Sequence, residues 1–261
     1  MAEQPNLATR VATSGLFALI IGVLAWSPFG HPVFAAGMLL PIGLYSSGRS
    51  VVVSQGAYYL GSLWPMPWVV VKFYGLSGYL GWTYGVAALV SWVAILTVGF
   101  AIAWVATKWL GAMRPAVCLA LTAVPPVGWL ALAHPLHAAG WIFPGLAWVG
   151  LAAAFCLSAL PSLRNQYGRV FVGVFSVVLA VVSNLLARQP EAPSGWRSFE
   201  VPTGPIPIDS RTAYTQIGQV RDLIKSVQRD HTKVVVLPEA VVGKWSARTD
   251  YWLNSPSLRM R

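Results

Sequence analysis

A single carboxylate, Glu239, follows a short apolar run near the end of the sequence. Residues 234–237 read Val-Val-Val-Leu, the β-branched pattern of a strand that is buried on both faces of a parallel sheet. Pro238 cannot donate to a sheet ladder, so we expect strand pairing to stop there. Because ligand crevices form at the carboxyl ends of strands in open α/β sheets, the spacing predicts a functional position for Glu239. The alternative is a carboxylate that is satisfied within an ordinary loop.

The other residues with reactive side chains form no recognisable site. Cys118 and Cys156 both lie inside apolar stretches, without the spacing of a disulfide framework or a metal motif, and we interpret them as small buried packing residues. His134 and His137 flank Pro135 in a predicted outer turn, and two histidines alone are weak evidence for a metal. We therefore expect no metal and no cofactor.

The composition indicates a membrane protein. The chain is 56% hydrophobic and 10% charged, and residues 4–190 contain no Asp or Glu. The net charge of +10 could suggest a nucleic-acid partner, but the Lys and Arg residues of this part are spread over mostly apolar sequence. Nucleic-acid binding needs basic residues that are gathered on one solvated face. We therefore expect no direct contact with nucleic acid.

Seven apolar stretches approach the length of about 20 residues that a helix needs to cross a hydrocarbon core. They lie at residues 11–28, 32–47, 51–70, 80–106, 115–133, 138–160 and 170–187. With a cytoplasmic N-terminus, Lys72 alone falls in an outer loop, and six basic residues fall in cytoplasmic turns: Arg10, Arg49, Lys108, Arg114, Arg164 and Arg169. This asymmetry predicts a multi-pass protein of the bacterial inner membrane with a periplasmic tail.

The tail carries the pattern of a strand, a helix and a second strand. Residues 188–195 contain two prolines and a glycine, which predicts a linker between a transmembrane domain at 1–187 and a partial extracytoplasmic domain at 196–261. Residues 196–201 can form a strand, and apolar residues recur at helical spacing between 214 and 227. With the run at 234–237, this order predicts a βαβ unit.

A multispan block followed by such a unit resembles the nitrilase-like membrane acyltransferases, of which apolipoprotein N-acyltransferase is one, and more closely the TraB-type conjugal transfer proteins. The resemblance rests on residues 27–30, 196–209 and 234–245 and covers essentially the whole chain. It implies a polytopic α-helical membrane domain of about seven spans, followed by an incomplete α/β nitrilase-like domain.

The resemblance implies a catalytic set of Glu, Lys and Cys, in which a Cys attacks an acyl carbonyl and the Glu accepts its proton. Only Glu239 matches, as the general base. Lys244 is interpreted as a surface lysine, and Cys118 and Cys156 lie in predicted spans. The expectation is therefore a C-terminally truncated chain that does not catalyse acyl transfer as written, with its status as an enzyme left open.

Three functions remain to be weighed. The leading hypothesis is a TraB-like inner-membrane protein of plasmid conjugal transfer, with membrane lipid and other conjugation proteins as partners. The alternative is a fragment of an apolipoprotein N-acyltransferase, which would transfer a fatty acyl group from phospholipid to a lipoprotein N-terminus through a thioester. A transporter or channel is disfavoured, because residues 4–190 lack the acidic side chains of the usual intramembrane relays.

Overall fold

A computed structural model describes residues 6–27, 29–39, 48–130, 132–187, 195–198, 218–223, 225–226 and 234–236. The chain divides into two compact units. The helical unit comprises residues 1–67 and 83–188, and the second unit comprises residues 68–82 and 189–261. Glu239 and Lys244 lie outside the described residues.

The described residues form mainly α-helices, which we number in chain order. They are α1 Leu7–Trp26, α2 Gly48–Leu63, α3 Met66–Phe73, α4 Gly78–Ala106, α5 Arg114–Ala123, α6 Val127–Leu130, α7 Ala138–Ile142, α8 Ala147–Ala159 and α9 Gln166–Leu186. Short 3₁₀ segments lie at Pro32–Met38, Lys108–Met113, Pro135–His137 and Leu160–Ser162. Asn6 and Asn165 cap α1 and α9, since their side chains accept the backbone N–H groups of Thr9 and Tyr167.

Three of these helices are long and apolar enough to cross a membrane. They are α1, α4 and α9, with 20, 29 and 21 residues, and 20 residues of α-helix extend about 30 Å. The prediction of about seven spans is therefore wrong. Three of the other apolar stretches are interrupted: the stretch 51–70 is divided at Pro65, 115–133 is divided at Pro125 and Pro126, and 138–160 is divided near Gly145, where φ is 78°. The stretch 32–47 begins with a 3₁₀ segment, and its residues 40–47 lie outside the described residues. Proline removes a backbone donor and ends a helix.

Helices α1 and α2 pack closely and run in the same direction. A Cβ at Gly22 would collide with the carbonyl oxygen of Tyr58, and a Cβ at Gly61 would collide with that of Leu19. Farther toward the start of both helices, Gly15 faces Val53. Small residues let helix backbones approach in this way. Because Gly15 faces Val53, whereas the later residues Leu19 and Gly22 face the later part of α2 at Tyr58 and Gly61, α1 and α2 begin at the same end of the helical unit.

Helix α4 packs antiparallel to α2, and α5 packs antiparallel to α4. Gly56 faces Thr97 and Gly48 faces Trp104, which places the end of α4 beside the start of α2. The Arg114 side chain at the start of α5 donates to the carbonyl oxygen of Trp104. The 3₁₀ segment after α4 packs against Leu160–Ser162, which precedes α9. The starts of α1, α2, α5 and α9 and the end of α4 thus share one end, which we name the basic end for the residues described below.

The second unit contains the strands of the described residues. β1, Trp196–Ser198, pairs in parallel with β2, Val234–Val236, with Trp196 opposite Val234. Helical residues at 218–223 and 225–226 lie between them in sequence, and Val220 is buried. These elements occupy positions where the sequence predicted strand, helix and strand.

The predicted fold class is nevertheless wrong. Strand structure in the described residues amounts to two segments of three residues each, and helix dominates the rest. A pair this short is below the usual strand length of about five residues and does not build an α/β nitrilase-like domain. The physical reason is that valine-rich sequence favours extended backbone locally, whereas a sheet needs further strands to pair with.

Candidate functional site

The described part of the chain does not assemble the predicted catalytic set. Glu239 lies outside it, so its predicted role is neither supported nor opposed. Cys118 is fully buried in α5, with Sγ 3.7 Å from the carbonyl oxygen of Phe100, whereas Cys156 on α8 is exposed. The interpretation of both cysteines as buried packing residues therefore holds for Cys118 alone.

His134 is buried and held in one neutral form. Its Nδ1 accepts the backbone N–H of Leu136 at 3.2 Å, so the ring proton is assigned to Nε2, which lies 3.0 Å from the Thr122 hydroxyl. That hydroxyl donates in turn to the carbonyl oxygen of Cys118 at 3.0 Å. Burial lowers the pKa of His134 to about 3, with the nearby His137 acting in the same direction. The described contacts make His134 a structural residue.

A row of polar side chains on α2 faces the interior of the helical unit. Ser54, Tyr58 and Ser62 follow one another at four-residue steps, and Gln55 and Tyr59 lie beside them, all of them buried. We name these five residues the polar seam. The Tyr58 hydroxyl accepts from the Trp26 indole at 2.9 Å and donates to the carbonyl oxygen of Ala133 at 2.9 Å. The seam thus links α2 to the end of α1 and to the segment that precedes His134.

The middle of the polar seam holds unpaired groups. Both amide atoms of Gln55 and the hydroxyl of Ser54 lack a hydrogen-bond partner among the described residues. The Gln55 amide lies beside the Tyr59 hydroxyl but outside hydrogen-bond geometry. Buried polar atoms normally have partners, and internal water is a common one. Polar residues inside membrane proteins commonly mark functional positions, so the seam is a candidate site.

Six basic residues of the helical unit collect at the basic end. Arg10 and Arg49 lie in the first turns of α1 and α2, and Lys108 and Arg114 follow α4. Arg164 and Arg169 lie around the start of α9. The sequence predicted that these residues share one side of a membrane, and the packing of the helices brings them to one end of the unit.

A groove opens at the basic end between the start of α1, the start of α2 and the end of α4. Its volume is about 890 Å³, and aliphatic side chains such as Val11, Val53 and Val105 form most of its wall. Arg49 and the indole of Trp104 supply its polar side chains. We name this feature the basic groove. It has the size of small-molecule sites, which span about 300–1,000 Å³.

The Trp104 ring is fixed in the wall of the basic groove. The Arg114 guanidinium lies 3.9 Å from the ring centroid and donates to the Trp104 carbonyl oxygen at 2.9 and 2.6 Å. The Phe100 ring lies nearly parallel to the Trp104 ring, with centroids 6.4 Å apart. The indole Nε1 has no hydrogen-bond partner among the described residues.

Sequence reasoning missed the polar seam and the basic groove. A signal for the seam was present, because Ser50, Ser54, Tyr58 and Ser62 recur every four residues within an otherwise apolar stretch. The groove had no comparable signal. It depends on the close packing of α1 against α2 and of α2 against α4, and a list of predicted spans does not say which spans pack together.

Comparison with known proteins identifies two relatives. The chain is 28% identical over 258 residues to the conjugal transfer protein TraB of Agrobacterium fabrum, covering 91% of this chain and 57% of that protein. It is 27% identical over 255 residues to the probable conjugal transfer protein TraB of Sinorhizobium fredii, covering 93% of this chain and 59% of that protein. No family model and no solved structure matches. The chain is thus similar to TraB conjugal transfer proteins along nearly all of its own length, and it spans less than two thirds of theirs.

Proposed function

We propose that this chain is a TraB-type membrane protein of plasmid conjugal transfer. The observation that carries the proposal is the similarity to two TraB proteins over 91% and 93% of the chain. The three helices of membrane-spanning length support a membrane location. In this role, the helical unit anchors the protein in the inner membrane, where it acts with other proteins of the conjugation machinery.

The basic end faces the cytoplasm in this proposal. Cytoplasmic loops of membrane proteins are enriched in Lys and Arg, and six basic residues share this end. Helix α1 begins at the basic end, whereas Asn184 near the end of α9 donates to the carbonyl oxygen of Ile142, away from that end. Helix α9 begins at the basic end and is long enough to cross the membrane. The residues that follow Ala187 therefore emerge in the periplasm.

A mating experiment tests the role in conjugation. The gene for this chain is deleted in frame from its conjugative plasmid, and transfer to a plasmid-free recipient is measured together with plasmid copy number in the donor. We expect transfer to fall while copy number stays constant, and we expect the gene supplied in trans to restore transfer. Unchanged transfer from the deletion donor would refute the proposed role.

Reporter fusions test the orientation separately. Alkaline phosphatase folds to an active form outside the cytoplasm, so a fusion after Ser194 is expected to be active and a fusion after Arg114 is expected to be silent. Both fusions are compared at equal protein level by immunoblot. The reverse pattern would place the basic end in the periplasm and contradict the proposed orientation.

A further inference from the structure

We propose that the basic groove binds one anionic phospholipid, with an acyl chain along its aliphatic walls and the phosphate paired with Arg49. This site depends on the chain being a membrane protein and does not depend on a role in conjugation. Three features support this binding: the charge of Arg49, the unpaired indole N–H of Trp104, and the shape of the groove.

The charge of Arg49 is suited to an anionic ligand. Arg49 is exposed and lines the basic groove. Residues 4–190 contain no Asp or Glu, so no carboxylate within that range can pair with its guanidinium. At a membrane surface, the abundant anions are phospholipid phosphates, and Arg binds phosphate through two parallel hydrogen bonds. The groove thus presents a phosphate-binding cation at its mouth.

Trp104 adds a second donor close to Arg49. The side chain is only 6% exposed, and its Nε1 has no partner among the described residues. The N–H is buried beside Gly48, where an added Cβ would lie 3.8 Å from the nitrogen, so a bound molecule reaches it once the indole turns toward the groove. Buried indole N–H groups normally find an acceptor. The ester carbonyl groups of a phospholipid lie next to its phosphate and provide such an acceptor.

The walls beyond these two donors are apolar. From Gly48 and Arg49 the groove continues along α2 to Val52 and Val53, and along α4 from Trp104 to Ala101. Polar groups therefore lie at one end and aliphatic surface lies at the other. This arrangement matches an amphiphile that has an anionic head and a hydrocarbon chain.

A second copy of this chain fits the groove less well than a lipid does. Any segment of the partner copy drawn from residues 4–190 would bring no carboxylate to Arg49, because that range has none. It would instead bury the guanidinium beside apolar surface without a counter-ion, which is costly. Charge complementarity therefore favours an anionic lipid over a dimer contact.

Lipid binding by the purified full chain tests the proposal. Native mass spectrometry in a mild detergent measures the retention of phosphatidylglycerol, of phosphatidylcholine with the same acyl chains, and of oleate. We expect one phosphatidylglycerol to bind with preference over both other ligands. Arg49→Gln removes the charged hydrogen bonds to the phosphate, so it should weaken phosphatidylglycerol binding about tenfold.

Three further variants separate the parts of the site. Trp104→Phe keeps an aromatic ring and removes the N–H, so it should weaken phosphatidylglycerol binding about threefold, the loss of one neutral hydrogen bond. Arg49→Lys keeps the charge and should retain part of the binding. Arg169→Gln removes an exposed charge at the same basic end but outside the groove, and it should leave binding unchanged. Equal helical circular dichroism and elution volume confirm that each variant is folded.

Several results would overturn the proposal. Equal losses in Arg49→Gln and Arg169→Gln would indicate general attraction to a basic surface. Equal retention of phosphatidylcholine would show that the net negative charge of the lipid is not recognised. Equal retention of oleate would show that the phosphate and the ester carbonyls are not recognised. A lipid-free dimer that Val53→Trp dissociates would assign the groove to a second copy. Binding is measured on purified protein, so a failed mating experiment does not affect this test.

Discussion

Removing the hydroxyl of Tyr58 should destabilise the helical unit substantially. Tyr58 has no exposed surface, and its hydroxyl lies between the half-buried Trp26 and the buried Ala133. It accepts from the Trp26 indole N–H and donates to the carbonyl oxygen of Ala133, both at 2.9 Å. Tyr58→Phe preserves the ring and its packing against Tyr59, while it leaves a donor and an acceptor without this partner. The change therefore isolates two hydrogen bonds.

The expected loss of stability follows from those two bonds. A buried polar group that loses its partner costs about 1–3 kcal/mol in soluble proteins. Hydrogen bonds between membrane helices average nearer 0.6 kcal/mol, with values up to about 1.7 kcal/mol. Two bonds in this range give a loss of about 1–3 kcal/mol. For a chain of this size, about 2–4 °C of melting temperature corresponds to 1 kcal/mol, so the melting temperature should fall by about 2–12 °C.

Thermal unfolding in detergent, followed by loss of monomer on size exclusion, measures this effect. Tyr167→Phe is the matched control, because Tyr167 is 76% exposed and its hydroxyl should contribute little. If Tyr58→Phe melts within 1 °C of Tyr167→Phe, estimated from the same conversion of about 2–4 °C per kcal/mol, the bridging role of the Tyr58 hydroxyl is refuted.

Two further predictions concern packing and protonation. Gly22→Ala should lower the melting temperature strongly, because the added Cβ would collide with the Tyr58 carbonyl oxygen. Gly173→Ala is the control and should leave the melting temperature unchanged, because its Cβ meets open space. Equal melting temperatures of the two variants would contradict the close approach of α1 and α2. Lowering the pH from 7.5 to 5 should destabilise the protein, because burial holds the pKa of His134 at about 3 while the unfolded imidazole titrates near 6.5. The unfolded state then binds the proton first, which costs about 2 kcal/mol at pH 5, and His134→Gln should reduce this pH dependence in paired melting experiments.

Composition was sufficient to predict a membrane protein but not the number of spanning helices. The mean hydropathy of a sequence window stays high even where a proline inside the window removes a backbone donor and ends the helix. Pro65 divides one predicted span, and Pro125 with Pro126 divides another, so each becomes two shorter helices. The grouping of basic residues was less sensitive to these breaks. It depends on which end of the unit each turn occupies, and shortening a helix does not change that end.

The tail shows which structural features a local sequence pattern can predict and which it cannot. The valine run predicted extended backbone at residues 234–236, and the paired strand at Trp196–Ser198 also lies where a strand was predicted. Backbone preference and residue order are local properties that a single sequence displays. The size of a sheet depends on further strands and their pairing, which the tail pattern does not specify. For this reason, local strand prediction did not extend to a correct fold class.

The distribution of polar groups fits the anchoring role that we propose. Within the described residues, the interior of the helical unit holds hydroxyls, the Gln55 amide and a neutral His134, whose Nδ1 is already occupied by the Leu136 N–H. Protonation of that nitrogen would bring two N–H groups together, so His134 cannot relay protons without breaking the turn. The charges collect at the basic end instead, with no acidic residue in positions 4–190 to guide a cation inward. A neutral interior and a charged end suit a protein that is held at a fixed depth by anionic lipid.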